Sequence, residues 1–318
     1  MTAVEAATIA RRAPKGAALD PLFKWLCFSA ATAVLVALGG LIASLVIGGW
    51  PAFAKFGFGF FTSTTWNPVT EVYGAEGPII GTLVTSVLAL AIALPIAFGV
   101  AIYLVEFSPR IIRQPIATAV QLLAGIPSIV YGMWGLFVFA PFFAQHIQLP
   151  LILAAPEGSL LEKLTAGVPN GANILTASII LAIMILPFTA AVLRDLMLTV
   201  PPQVRESAYG LGATTLEVVT KVTLPYVRRG AIGAVMLGLG RALGETMAVT
   251  FIIGNAHGFP KGLFDSGSTI ASTIASEFSE AHDPIYSASL VALGLVLFLI
   301  TFAVLALARM LLRSEANN

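Results

Sequence analysis

The chain has 318 residues, of which 58% are apolar and 10% charged, against roughly 25% charged in an average soluble domain, which excludes an ordinary soluble enzyme and a disordered chain. A net charge of +1 gives no bulk attraction to nucleic acid. The lone cysteine, Cys27, excludes an internal disulfide and reads as a small packing residue, and His146, His257 and His282 lack metalloprotease spacing, so no metal site is expected.

Residues 1–24 read as a tail carrying Arg11 and Arg12. Six apolar runs follow, at 25–48, 79–104, 115–143, 173–197, 230–254 and 288–312, each near the ~20 residues that span a bilayer. They predict an all-α polytopic membrane protein with six transmembrane helices. Trp25 and Trp50 frame the first run, as an interfacial aromatic belt would. With the N-terminus inside, 13 Lys/Arg fall in inner segments and 3 (Lys55, Lys163, Lys261) in outer ones. The positive-inside rule then places both termini, the second being 313–318, in the cytoplasm.

The outer segments 49–78, 144–172 and 255–287 are long. The first two read as loops. The third reads as loop followed by a short helix capped by Ser268, with Ile270, Ile274 and Phe278 on one stripe. Pro95, Pro127 and Pro187 fall within the second, third and fourth spans, where each removes a backbone donor and kinks or breaks the helix. The third case, Gly125-Ile126-Pro127-Ser128-Ile129-Val130-Tyr131-Gly132, sets the hydroxyls of Ser128 and Tyr131 beside the break, where transporters open a pathway.

The longest inner segment, about 199–226, carries a helix start at Thr199 and Pro201-Pro202, helix formers over 203–221 and a stop at Pro225. It reads as short helices outside the bilayer with a surface for a cytoplasmic protein, or as a membrane-surface helix. In the fifth span, Arg241 and Glu245 stand four residues apart, a spacing that lets them pair on one helix face. Two readings are open: a structural ion pair, or an anion-contact site in which the Arg fork binds an oxyanion and Glu245 tempers its field. The second is preferred. Gly240-x-x-x-Gly244 reads as close helix packing, at a subunit interface or inside the chain. There is no phosphate-binding P-loop, so ATP binding of that kind is excluded for this chain.

Glu206-Ser207-Ala208, then Gly212, then Val222-Thr223-Leu224-Pro225 nine residues later, resembles the EAA signature of ABC importer permeases. Ser207 replaces Ala and Val222 replaces Ile. Residues 238–249, Gly-Leu-Gly-Arg-Ala-Leu-Gly-Glu-Thr-Met-Ala-Val, together with 125–135, resemble the PstC-type permeases of phosphate ABC importers. The similarity runs from about residue 20 to 312, with a core about 79–312. The resemblance implies a type I ABC importer permease fold in the bacterial inner membrane. It places Glu206, Ser207, Ala208, Gly212, Leu224 and Pro225 at the joint with an ATPase, and gives Arg241 and Glu245 a part in translocation. It also implies a second related permease, two ATPase subunits holding ATP and Mg, a periplasmic phosphate-binding protein, and no cofactor on this chain. A proton-coupled secondary anion carrier using Glu245, an importer of another oxyanion, and a non-transporting scaffold are the alternatives. The first leaves the coupling-loop spacing without a purpose, and the last leaves the buried charges of Arg241 and Glu245 without one.

Overall fold

The computed structural model describes residues 19–314. The expected tail with Arg11 and Arg12 lies outside the described residues, as do residues 315–318. The chain divides into two compact units, Met1–Gly48 and Gly49–Asn318.

The first unit contributes the body of helix α1 (Asp20–Phe56), an uninterrupted apolar run with Asp20 in its first turn, where an acid complements the helix dipole. Trp25 and Trp50 are both exposed on α1. Cys27 is exposed as well. The packing role expected for it is not found, because among the described residues its unit is a single helix with no second element to pack against.

In the second unit the end of α1 is followed by a hairpin, β1 (Trp66–Asn67) and β2 (Val72–Tyr73), with Trp66 opposite Tyr73. Then come α2 (Glu76–Phe107), α3 (Arg110–Ala124), α4 (Ser128–Ala154) and α5 (Ile174–Leu198). The remainder is α6 (Pro202–Gly210), α7 (Thr215–Val218), α8 (Leu224–Leu243), α9 (Met247–Ile252), α10 (Ile270–Glu277) and α11 (Pro284–Ser314). Among the described residues five helices, α1, α2, α4, α5 and α11, are long and apolar enough to cross a membrane. The fifth expected span, 230–254, is a helix, a break and a second helix, α8 and α9. The chain is thus an all-α polytopic membrane protein.

α5 is the centre of the unit, the most buried of the five spans. Its largest interface is with α2, which presents Ala89, Ala93, Ala97 and Ala101, all fully buried. One small side chain per turn lets two backbones approach closely, the membrane substitute for a hydrophobic driving force between helices. Three apolar clusters are stacked along this pair. One around Leu193, Met197 and Val227 lies towards the C-terminal ends of α2 and α5. One around Ile180, Leu181 and Val249 lies midway. One around Phe60, Trp66, Tyr73 and Tyr286 lies at the hairpin end.

The expected third span, 115–143, is not one helix. It breaks at Gly125–Pro127, and the membrane-length helix is α4, which starts at Ser128 and runs on to Ala154. The expected loop 144–172 is therefore helical over its first third. Pro225 does not stop a helix either, for the helical run continues unbroken from 215 to 243. Both corrections have one cause. Four five-residue π turns, Tyr103–Phe107, Gly135–Phe139, Ala144–Gln148 and Val219–Thr223, each stand two residues ahead of a proline: Pro109, Pro141, Pro150 and Pro225. A proline ring clashes with the carbonyl four residues back and offers it no N–H. A widened turn moves that carbonyl aside, as where Leu224 N–H bonds to Val219 O. Pro95 and Pro187 remain inside unbroken helices.

Two smaller expectations are also corrected. Thr199 terminates α5, its hydroxyl donating to Leu196 O at 2.7 Å, and α6 is entered through Pro201. The cap of α10 is Thr269, whose backbone is extended and which shares a capping box with Ser272. Ile270 is buried and Ile274 packs on the hairpin-end cluster, but Phe278 lies past the helix end and is exposed.

Gly132 on α4 faces α9 so closely that a Cβ there would stand 3.0 Å from Ala248 Cα. Gly132→Leu is expected to destabilise the protein by about 1–3 kcal/mol through overpacking, read as a lowered thermal midpoint in detergent. Gly99→Leu on α2, with open space around it, should leave that midpoint unchanged or raised.

Candidate functional site

Two helix breaks meet in the membrane region. The first is Gly125–Pro127, between α3 and α4, where Pro127 holds an extended backbone ahead of Ser128. Tyr131, one turn into α4, is buried in the central cluster, and its hydroxyl donates to Leu123 O at 2.9 Å across the break. That bond gives Leu123 O a second donor, beside Ile126 N–H at 3.3 Å, and ties α4 to the end of α3. Ser128, the first residue of α4, is half-buried.

The second break is Gly244–Thr246, between α8 and α9. The helix carrying Arg241 ends at Leu243, so Arg241 and Glu245 do not share a helix face. They form no ion pair, and the pairing expected from their spacing is corrected. Glu245 turns instead to the next helix, where its Oε1 accepts from Ala248 N–H at 3.3 Å, an acid on a helix N-terminus. Arg241 is exposed, with no hydrogen bond or ion pair to any described residue. Its charge acts on the Tyr131 phenol. α4 packs on α9 through Gly132 and Ala248, so the two breaks lie side by side. The structure thus seats Glu245 on the helix that packs against α4.

Within this chain the close glycine contact is at Gly238, two residues before Gly240. A Cβ on Gly240 would meet only Leu305 Cδ1 of α11, at 3.9 Å, and one on Gly244 only its own helix end. The close approach is at Gly238, where a Cβ would lie 3.0 Å from Thr189 Oγ1 of α5.

The expected coupling segment is α6, a turn, and α7. The chain reverses at Gly212, whose φ of +90° lies where a side chain is strained. Thr214 then caps α7. Its Oγ1 accepts from Glu217 N–H, and Glu217 Oε2 accepts in return from Thr214 N–H at 3.1 Å. Lys221 Nζ donates to Glu217 Oε1 at 3.0 Å. The Thr214 backbone bond, followed by Lys221, lowers the Glu217 carboxyl from 4.5 to about 2. Leu211, 90% exposed, and Leu216 stand out from the turn, beside a concavity of about 380 Å³ lined by Ala208, Gly212 and Lys221 among others. Glu206 and Ser207 are exposed, and Ala208 is half-buried. Leu224 packs on the inner cluster, while Pro225 is exposed beyond the π turn. The six residues therefore divide between an exposed knob and its root.

Two features escaped the sequence reading. The Thr-x-x-Glu capping box at 214–217 was open to it. The ion pair of Arg205 on α6 with Glu106 at the end of α2, 2.8 Å long, joins residues 99 apart, and no local pattern announces it.

The family described as Binding-protein-dependent transport system inner membrane component matches residues 93–316. The chain belongs to this family. The phosphate transport system permease protein PstC of Mesorhizobium japonicum is 53% identical, covering 100% of this chain and 99% of that protein. The proteins of that description from Pasteurella multocida, at 52% with 92% of each covered, and Xylella fastidiosa, at 47% with 98% of each covered, are similar throughout. A bacterial ABC transporter that imports the acidic polysaccharide alginate shares the fold, with a TM-score of 0.60 at 18% identity over 93% of this chain and 97% of that one. Its complex with an alginate pentasaccharide-bound periplasmic protein gives 0.62 at 17%, covering 95% and 98%. The fold is that of a type I ABC importer permease, and the protein is a multi-pass inner-membrane transport subunit.

Glu217 contributes stability in full above its ordinary value of 4.5, and that contribution is lost as the pH falls towards about 2. Amide protection at 214–218, corrected for intrinsic exchange, should hold from pH 7 to about 5 and decline below about 4.5. Thr214→Val should flatten the decline. Tyr131→Phe removes one of two donors to Leu123 O and is expected to cost about 0.5–1.5 kcal/mol, read as a lower thermal midpoint.

Proposed function

We propose that this chain is one of two related permeases of an ATP-driven importer of inorganic phosphate. The observation that carries the reading is 53% identity, over the full length of both chains, to a phosphate transport system permease. The exposed α6–α7 knob supports the rest. Two cytoplasmic ATPase subunits, holding ATP and Mg, close on nucleotide and press on the knob at Glu206, Ser207, Ala208 and Gly212. Leu224 and Pro225 carry the movement into α8. A periplasmic phosphate-binding protein delivers the anion to the outer segments. Both termini are cytoplasmic, in keeping with the excess of Lys/Arg in the inner segments.

Arg241 suits the cargo. A guanidinium stays charged, and its planar fork donates two parallel bonds to a tetrahedral oxyanion. A lone Arg at the bilayer centre costs about 2.5–3.5 kcal/mol on insertion scales, which a wet pathway relieves. Glu245, occupied with the α9 N-terminus, does not quench it. Ser128 and Tyr131 line the neighbouring break.

The test is labelled phosphate uptake into proteoliposomes holding both permeases, the ATPase and the binding protein. Uptake with ATP and none with a proton gradient alone is expected. Uptake on the gradient alone would make the chain a secondary carrier, and ATP-driven uptake of another oxyanion in preference to phosphate would reassign the cargo. Arg241→Ala should lower uptake by about 10- to 100-fold, the equivalent of a charge-assisted hydrogen bond, with the ATPase still bound. Unchanged uptake would return Arg241 to a structural role.

A further inference from the structure

α6 rests lightly on its own chain. None of its residues is buried. It packs on α7 and on the π turn 219–223, within one hairpin. A force applied to such a helix is not spread through a packed apolar face; it passes through the peptide link to α5 and through specific side-chain contacts.

Arg205 makes such a contact. Its Nη2 donates to Glu106 Oε2 at 2.8 Å, and the Glu106 side chain is only 3% exposed. Glu106 stands on the π turn 103–107 that ends α2. Its other oxygen, Oε1, is buried with no partner among the described residues. Arg113 of α3 is anchored two residues further along, with Nη2 donating to Ser108 O at 3.1 Å, and its Nε is likewise buried without a partner among the described residues. Separating a buried carboxylate from its guanidinium partner leaves an uncompensated buried charge. Apolar surfaces slide past each other at little cost, but this contact does not.

The connectivity supplies the second half of the argument. α5 continues into α6 through residues 199–201, and α5 shares its largest interface with α2. α6 is thus tied by peptide bonds to one member of the central pair and by an ion pair to the other. Without the ion pair, displacement of α6 acts on α5 alone and shears it against the alanine face of α2. With it, both helices are moved together.

We propose that the Glu106–Arg205 ion pair is the strut that delivers displacement of α6 to α2, making both residues positioning residues for ATP-driven transport. The proposal rests on the coupling reading of α6. The experiment reconstitutes the full importer in proteoliposomes and reads phosphate moved per ATP hydrolysed for E106Q, R205K, the charge swap E106R/R205E, and L211E on the exposed knob. E106Q is expected to retain the ATPase and its hydrolysis while the ratio falls by about tenfold or more, the effect of unpairing a buried charge. R205K, which keeps the charge, should fall less, and the swap should recover most of the ratio. A purely structural pair would lower the yield of assembled complex and leave the ratio untouched. A wild-type ratio in E106Q, or in R205K if E106Q fails to assemble, overturns the strut, and so does a swap no better than E106Q. L211E should lose the ATPase. If the ATPase still co-purifies with L211E, the coupling reading falls and takes the strut with it. If the ATPase is lost there while E106Q keeps the wild-type ratio, the strut alone is wrong.

Discussion

Inside a bilayer no water is at hand to take up a free N–H or C=O, so any interruption of a membrane helix must bring its own partners. Both interruptions here do so locally. At Gly125–Pro127 the Tyr131 hydroxyl takes the Leu123 carbonyl, and at Gly244–Thr246 the Glu245 carboxylate takes the Ala248 N–H while Gly244 N–H returns to Gly240 O. Because neither break depends on the other for its hydrogen bonds, the two can be set side by side, and Gly132 lets the α4 backbone reach α9 there. The same constraint explains the π turns. Three of them take up the register change that a proline two residues later demands, so the helix passes Pro141, Pro150 and Pro225 without exposing a backbone group, and the fourth ends α2 ahead of Pro109.

Around these irregular helices stands a regular one. α5 is capped at its start by Asn173, whose Oδ1 accepts from Thr176 N–H at 2.8 Å. It is buried along most of its length and is matched to the alanine face of α2. A close backbone approach over a long contact makes the pair stiff, and stiffness is what a helix needs if movement at one end is to appear at the other. The irregular α4 and α8–α9 thus stand beside a regular, closely packed α2–α5 pair.

The chain's class and most of its spans were legible because length and hydropathy are local properties, and the 206–225 segment was legible because its signature is a spacing within one hairpin. The errors have physical sources. Hydropathy over 115–143 does not register that Gly125-Ile126-Pro127 cannot stay helical, so the span was set about a dozen residues early. Pro225 looked like a stop because a π turn has no residue signature apart from the proline it accommodates. Arg241 and Glu245 were paired on i,i+4 geometry that holds only in a continuous helix, and Gly244-Glu245-Thr246 ends that helix. Glu106 and Arg205 lie 99 residues apart and meet through tertiary structure alone.

The separation of Arg241 from Glu245 has a chemical consequence. Paired in one helix, the two would have formed a neutral unit with little field beyond its own surface. Apart, each has different work. The carboxylate is spent on a helix N-terminus, where its charge meets the positive end of the dipole. The guanidinium keeps five donors and no acceptor among the described residues. Water in an open pathway can satisfy those donors without fixing them, and a tetrahedral oxyanion can displace that water with two parallel bonds at once.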